Sequence, residues 1–324
     1  MDLIKEIGGG VSIAITGHIR PDGDSIGSAM ALYQYLDKQR EKLNLLKIDV
    51  FLEPIAKCFD FLKGTDNIII INDKDSLNDF KEEIYDVFIS LDCASLDRIV
   101  EARNIFDLAK KTINIDHHIS NTNFADINYV IPDASSTAEV IYGLLDNDKI
   151  TKEIAEALYI GIIHDTGVFR HTNTTKKTMN IAGDLMSRGI EFSTLIGETF
   201  FQKTYVQNQI LGRVLMESQL VLGGKCIVSS LDTDIISLYN VTLSELDGII
   251  DQMRQTRFVE IAIFLYEFEH NEYKVSMRSN FKVDVSRIAM HFGGGGHKKA
   301  AGCCMSGSSE EIIKKILELV KEQL

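Results

Sequence analysis

The stretch Val11-Ser12-Ile13-Ala14-Ile15-Thr16-Gly17-His18-Ile19-Arg20-Pro21-Asp22-Gly23-Asp24 decides the fold. Its first six residues are short, apolar and rich in β-branched side chains, which predicts a buried strand. From Ser25 to Arg40 the period changes, with Ile26, Ala29, Met30, Leu32, Tyr33 and Leu36 recurring at helical spacing. Between strand and helix lies a polar turn that carries three potential metal ligands, His18, Asp22 and Asp24.

Outward from this unit the alternation continues. Strands are expected at Lys47 to Leu52, Ile68 to Ile71, Asp86 to Leu91 and Thr112 to Ile115, separated by helical or loop segments up to Ser135. Such alternation predicts an α/β fold with a parallel sheet flanked by helices. Helices follow near Ser136 to Asp146, Lys152 to His164 and Thr175 to Arg188. After a weaker stretch, a helix near Tyr205 to Ser218 leads into a second, smaller α/β unit. That unit reads as strand Lys225 to Leu231, helix Leu243 to Gln255, strands Phe258 to Phe268 and Glu272 to Arg278, short helix Val285 to His291, glycine-rich loop, strand, and terminal helix Ser309 to Leu324. The expected organisation is a first domain over 1–190, a linker and connecting helix over 191–215, and a second domain over 216–324.

Composition fits two ordinary globular domains: 324 residues, 45% hydrophobic and 25% charged, which excludes disordered and collagen-like chains. No apolar run approaches the roughly 18 to 20 residues that cross a bilayer. The opening Met1-Asp2-Leu3-Ile4-Lys5-Glu6 has no basic region leading into an apolar one, so a cytoplasmic protein is expected. The five cysteines are odd in number and lack C-x-x-C spacing; Cys58, Cys93 and Cys226 are expected to be buried thiols. A net charge of −13 opposes broad attachment to nucleic acid or anionic membrane, while leaving room for a local anion site.

Chemistry gathers at strand ends. Asp92 follows one expected strand, Asp116-His117-His118 follows another, and His164-Asp165-Thr166-Gly167 closes a helical segment. In an open parallel sheet these positions converge with the His18 to Asp24 turn, because ligands bind beyond the carboxyl ends of the strands. Asp24 taken alone would read as a helix N-cap. Together, Asp22, Asp24, Asp92 and Asp165 bring four negative charges, which two divalent cations would cancel. Oxygen and imidazole donors without thiolate suit Mn²⁺, Mg²⁺ or Zn²⁺.

A second signal lies near the C-terminus. Between Tyr273 and Cys304, Lys274, Arg278, Lys282, Arg287, Lys298 and Lys299 face a single acid, Asp284. Gly293 to Gly296 matches neither a P-loop nor a dinucleotide fingerprint, yet its backbone N–H groups can turn toward an anion. Arg278 is the candidate for bidentate phosphate contact and His297 for a second donor.

These residues resemble the DHH phosphoesterases, a family named for the run seen here as Asp116-His117-His118. The resemblance extends to His18, Asp22 and Asp24, to Asp92, to Asp165-Thr166-Gly167, and to Arg278-Ser279-Asn280 and Gly293-Gly294-Gly295-Gly296-His297 with Ala300-Ala301-Gly302, which are similar to the associated DHHA1 substrate domain. It implies one metal on His18, Asp22 and Asp92, another on Asp24, Asp92, His117 and Asp165, and Asp92 bridging. The metals would be two divalent ions, Mn²⁺ first, with Mg²⁺ or Co²⁺ as substitutes. It assigns His118 to the phosphoryl oxygen or leaving group, and Asp116 to orienting a metal-ligating histidine. Substrate would contact Arg278, Ser279, Asn280, Gly294, Gly295, Gly296 and His297.

Length and domain pair point to the branch that hydrolyses short oligoribonucleotides and nucleoside bisphosphates such as 3′-phosphoadenosine 5′-phosphate (PAP). A soluble cyclic-dinucleotide phosphodiesterase and an inactive nucleotide-binding module are the alternatives; the oligomeric state is left open, a homodimer being one option. His164 departs from the family pattern and is expected not to ligate. His171 and Arg20 are left open between substrate contact and surface roles.

Overall fold

The alternation of the first half closes into a six-stranded, wholly parallel sheet. The computed structural model describes residues 1–72, 77–80, 82–99, 101–246 and 248–324, and the chain divides into two units, Met1–Gln202 and Lys203–Leu324. In the first unit the elements run α1 (Leu3–Ile7), β1 (Ser12–Thr16), α2 (Gly23–Lys38), α3 (Arg40–Leu43), β2 (Lys47–Leu52), β3 (Ile68–Ile70), β4 (Val87–Leu91), α4 (Arg103–Leu108), β5 (Thr112–Asp116), β6 (Ile127–Val130), α5 (Thr137–Tyr142), α6 (Lys152–Asp165), α7 (Lys176–Ser187) and α8 (Phe192–Ile196). Sheet order is β3-β2-β1-β4-β5-β6. Strand β6, half-buried along its length, is absent from the sequence reading because its Ile127-Asn128-Tyr129-Val130 is too short to show a period.

Period two places the core. Ile13 and Ile15 of β1, with Val50, Ile89 and Ile113, pack against α2, α5 and α6 on one face; Ala14, Phe51 and Phe88 pack with Ile105 and Phe106 of α4 on the other. Both faces are therefore buried, which is why these strands read as continuous apolar runs.

The second unit holds α9 (Tyr205–Glu217), β7 (Gln219–Val221), β8 (Cys226–Leu231), α10 (Thr233–Tyr239), α11 (Ile249–Arg254), β9 (Ile261–Glu269), β10 (Glu272–Ser279), α12 (Val285–His291), β11 (Gly295–His297), β12 (Ala300–Ser306) and α13 (Ser309–Lys321). Its sheet is mixed, ordered β11-β12-β10-β9-β8-β7, with β8 and β9 parallel and the other pairs antiparallel. Along β9, Ile261, Ile263 and Leu265 pack with α12 and α13, while Ala262, Phe264 and Tyr266 pack with α9 and α11.

Three expectations change. Ile210 and Val214 of α9 belong to the second unit's core, and α8 stays with the first, so the expected connecting segment 191–215 is shared between the units. The single helix expected over Leu243 to Gln255 is a 3₁₀ turn, Leu243–Leu246, followed by α11; Gly248 is left-handed between them, and residue 247 lies outside the described residues. The glycine-rich loop contains an edge strand, β11, paired with β12 from Gly295 opposite Gly302 to His297 opposite Ala300. A fourth expectation changes at Cys58, expected buried and found half-buried; Cys93, Cys226 and Cys303 are buried and Cys304 is exposed.

Asp86, just before β4, ties the two central strands together at their starts. Its carboxylate accepts from the Ser12 N–H at 2.8 Å and hydroxyl at 3.0 Å and pairs with Lys110 at 2.7 Å. Lys110 foremost, then the Ser12 N–H, hold its pKa down to about 2. A lowered carboxyl stabilises the fold above its unfolded pKa of about 4, and that contribution is lost as pH falls toward the folded value. Asp86→Asn is expected to cost about 1–2 kcal/mol at pH 7 and to flatten the pH dependence of urea unfolding between about pH 4 and 2.

Candidate metal centre

Strand order reverses between β1 and β4, which makes the space beyond their carboxyl ends the crevice of the sheet. The turn after β1 delivers His18, Asp22 and Asp24; β4 delivers Asp92; β5 delivers Asp116, His117 and His118. Asp92 sits in the left-handed region at φ +59°, a strained setting that an aspartate tolerates better than most residues and that clusters at functional sites.

Asp22, not Asp24, is the N-cap of α2, accepting from the N–H groups of Asp24 at 3.0 Å and Ser25 at 3.2 Å. Asp24 lies inside the first turn and is only 1% exposed. Its oxygens accept from the N–H groups of Thr137 at 2.7 Å and Ala138 at 2.9 Å.

His18 Nδ1 lies 2.8 Å from its neighbour's carbonyl, Ile19 O, and 3.3 Å from an Arg98 guanidinium nitrogen, which leaves Nε2 as the ring nitrogen that faces the carboxylates. Nε2 stands 3.6 Å from Asp22 Oδ1 and 3.4 Å from Asp92 Oδ2. On the other side, His117 Nε2 stands 3.7 Å from Asp92 Oδ1 and 3.3 Å from Asp165 Oδ2. Donor atoms that share one ion at ~2.1 Å are themselves roughly 3.0–3.5 Å apart. The donor atoms of His18, Asp22 and Asp92 lie within 4.8 Å of one another, as do those of Asp24, His117 and Asp165; those of Asp92, His117 and His118 form an overlapping third group. Asp92 turns one oxygen to each of the first two.

Charge gives an independent test of fit. Burial foremost, then Asp92, Asp165 and Asp22, hold the Asp24 carboxyl well above the ordinary range. Burial and Asp92 push Asp165 up to about 6, although His117 pulls the other way. Burial opposes a charge on His18, yet Asp22 and Asp92 outweigh it and raise the imidazole to about 10. The cluster thus retains protons where divalent cations would replace them, which is the behaviour of a metal site.

His118 Nδ1 is 2.7 Å from Asp116 Oδ1, so Asp116 orients His118. Buried Asp116 also accepts from Asn121 Nδ2 at 2.6 Å, and these two hydrogen bonds overcome burial to lower its pKa; the Asp116 bond foremost raises that of His118.

Comparison with known proteins shows which domains the chain carries. Residues 12–162 match the model described as "DHH family, N-terminal domain", and residues 223–324 match the DHHA1 domain. The chain belongs to the DHH family of phosphoesterases. It is 28% identical to the bifunctional oligoribonuclease and PAP phosphatase NrnA of Thermus thermophilus, covering all of this chain and 93% of that one. It is 27% identical to the protein of the same name from Bacillus subtilis, over 90% of this chain and 89% of the relative. A solved exopolyphosphatase-related protein from Bacteroides fragilis superposes with a TM-score of 0.86 at 27% identity, covering 96% of this chain and 92% of that one.

Within the DHHA1 domain the predicted contacts divide by accessibility. Arg278 is half-buried, its Nε 3.6 Å from Asp251. His297 and Gly295 and Gly296 lie exposed on edge strand β11, and Gly294 is half-buried before it. Ser279 is 2% exposed and donates to Val283 O at 2.6 Å. Asn280 donates to Val259 O at 2.8 Å and Arg254 O at 3.1 Å and accepts from Arg254. Ser279 and Asn280 therefore brace the loop rather than face outward.

His164 does not join the ligand groups: it packs against Phe59 and Phe200, its Nε2 lies 3.1 Å from the Thr199 hydroxyl, and burial lowers its pKa. His171 is exposed, with Nδ1 3.1 Å from the Asp165 carbonyl. Arg20 is exposed and its backbone N–H donates to Glu53. Sequence reading missed Asn121 and Thr137, whose hydroxyl donates to Asp92 Oδ1 at 3.0 Å. Thr137 stands in Ser135-Ser136-Thr137, a capping signal ahead of an apolar helix, which could have marked it.

It also missed Gly161, where a Cβ would lie 2.7 Å from Asp24 Oδ1 and 2.5 Å from Ala138 Cβ. Gly161→Ala removes no donor but displaces one. Calorimetric titration with Mn²⁺ is expected to show affinity reduced by about 10- to 100-fold, the scale on which altered support of a metal ligand acts.

Proposed function

We propose that this phosphoesterase hydrolyses short oligoribonucleotides to mononucleotides and PAP to AMP and phosphate, using two divalent ions, Mn²⁺ foremost. The observation that carries the two-ion reading is Asp92, with Oδ2 toward His18 and Oδ1 toward His117. His18, Asp22 and Asp92 would hold one ion, and Asp24, Asp92, His117 and Asp165 the other. Bound there, such ions lower the pKa of water and neutralise charge on a phosphoryl group.

The remaining steps fall to the chain. His118, held by Asp116, whose hydrogen bond raises its pKa, is the group placed to give a proton to the phosphoryl or leaving oxygen. Arg278 and the exposed His297 supply phosphate contacts from the DHHA1 domain. The substrate class is supported by the Thermus and Bacillus relatives, each a bifunctional oligoribonuclease and PAP phosphatase by name. A phosphate ester next to a nucleoside is common to both substrates, so one site serves them.

The test is a metal-stripped and Mn²⁺-restored hydrolysis panel of a diribonucleotide, a long single-stranded RNA, PAP, cyclic di-AMP and pyrophosphate. Mn²⁺-dependent release fastest from the diribonucleotide or PAP is the expected result; preference for the cyclic dinucleotide or pyrophosphate overturns the assignment. In the same assay, Asp92→Ala is expected to lower kcat by about a thousandfold or more by disorganising both ion sites. Arg278→Ala should act chiefly on KM. A loss confined to kcat would move Arg278 to transition-state stabilisation.

A further inference from the structure

The second unit carries a cavity of about 490 Å³ that the reaction does not use, walled by the segments 254–260 and 280–281 and by Lys225. Two large aromatic rings stand open on it, Phe258 at 75% exposure and Phe281 at 78%. Isolated apolar side chains on a surface need no explanation. Two phenylalanines on one concave wall with three cations, Lys225, Arg254 and Arg257, do.

The wall is built to hold the rings outward. Phe258 adopts φ +71°, a left-handed conformation that is costly for an aromatic residue. Arg257 lies over its ring at 4.9 Å, leaving the ring otherwise open. Phe281 is held by the buried carboxylate of Glu260, which accepts the N–H groups of Phe281 at 3.2 Å, of Lys282, and of Val283 at 2.9 Å. That carboxylate is the cavity's one acidic group, and its charge is taken up by backbone donors. Arg254 keeps a buried Nε without a hydrogen-bond partner, although its other nitrogens reach Asn280 and Asp251. In a chain of net charge −13 the result is a cationic, aromatic-walled recess.

We propose that Phe258 and Phe281, with Lys225, Arg254 and Arg257, form a stacking site for bases of a single-stranded oligoribonucleotide, separate from Arg278 and His297. Open rings take up bases of any identity, and interleaved cations track the phosphates. This rests on the proposed oligoribonucleotide substrate and adds to it: the site favours chains with nucleotides beyond the pair being cleaved.

The test measures fluorescence anisotropy of the full chain with Mn²⁺ and labelled, cleavage-resistant phosphorothioate adenylates of two and five residues. Phe258→Ala with Phe281→Ala is expected to raise Kd for the pentamer by about tenfold or more, with a smaller change for the dimer. Phe258→Trp with Phe281→Trp should restore the pentamer affinity, which a merely unfolded or softened domain would not allow. Equal pentamer affinity in wild type and the alanine pair overturns the stacking site, even where wild type cleaves a diribonucleotide. So does a change in self-association, read by sedimentation, with RNA affinity intact. Wild type that neither cleaves the diribonucleotide nor binds the pentamer overturns both this site and the proposed substrate.

Discussion

Contact between the backbones of α2 and α6 sets the metal centre. At Gly27 a Cβ would lie 2.4 Å from Ala157 O and 2.9 Å from Gly161 N, so the two helices meet without side chains between them. That approach brings Asp24, in the first turn of α2, alongside α6, whose last residue is Asp165. The two carboxylates receive opposite help from their helices. A helix N-terminus favours a negative charge and a C-terminus disfavours it. Asp24 also takes two N–H groups from the start of α5, whereas Asp165 ends its helix with His117 as its ion partner. The fold thus presses acids together in an arrangement that only added positive charge relieves, and the raised pKa values of Asp24 and Asp165 express that pressure.

A polar thread through the sheet supports the other half of the site. Ser90 of β4 accepts from Asn114 of β5 at 3.0 Å, Asn114 accepts from Asn121 at 2.8 Å, and Asn121 donates to Asp116, which holds His118. Ser90, Asn114 and Asp116 are buried, where an unpaired polar group would be costly and a paired one is rigid, and half-buried Asn121 links them. Rigidity matters here because His118 lies beside His117, with ring centroids 4.7 Å apart, and the two must aim at different atoms. Asp116 fixes one ring while the Ala134 carbonyl, 3.3 Å from Nδ1, fixes the other.

The acids and histidines of the centre were legible in sequence because they follow apolar runs, strands for the His18 to Asp24 turn, Asp92 and Asp116 to His118, and an apolar helix for Asp165. The N-cap role weighed for Asp24 taken alone falls to Asp22, because the cap and the first turn differ by two residues and periodicity does not resolve that interval; the capping hydrogen bonds of Asp22 do. Gly27 and Gly161 were illegible for another reason. A glycine in a helical run reads as a local weakness, and its use here lies in a neighbour more than a hundred positions away. Likewise β7 and β11, three residues each, carry no period of their own and exist through pairing with β8 and β12.

The Arg278-Ser279-Asn280 run shows how one motif can serve two surfaces. Only Arg278 keeps an ionic head partly open; Ser279 turns inward and Asn280 binds the backbone at Arg254 and Val259. Asp251 pairs with both Arg278, at 3.6 Å, and Arg254, at 3.5 Å, so a single carboxylate holds a cation of the motif and a cation of the aromatic recess. An exposed ion pair of this kind adds little stability. Its consequence is positional: it limits where both guanidinium groups can go before an anion arrives.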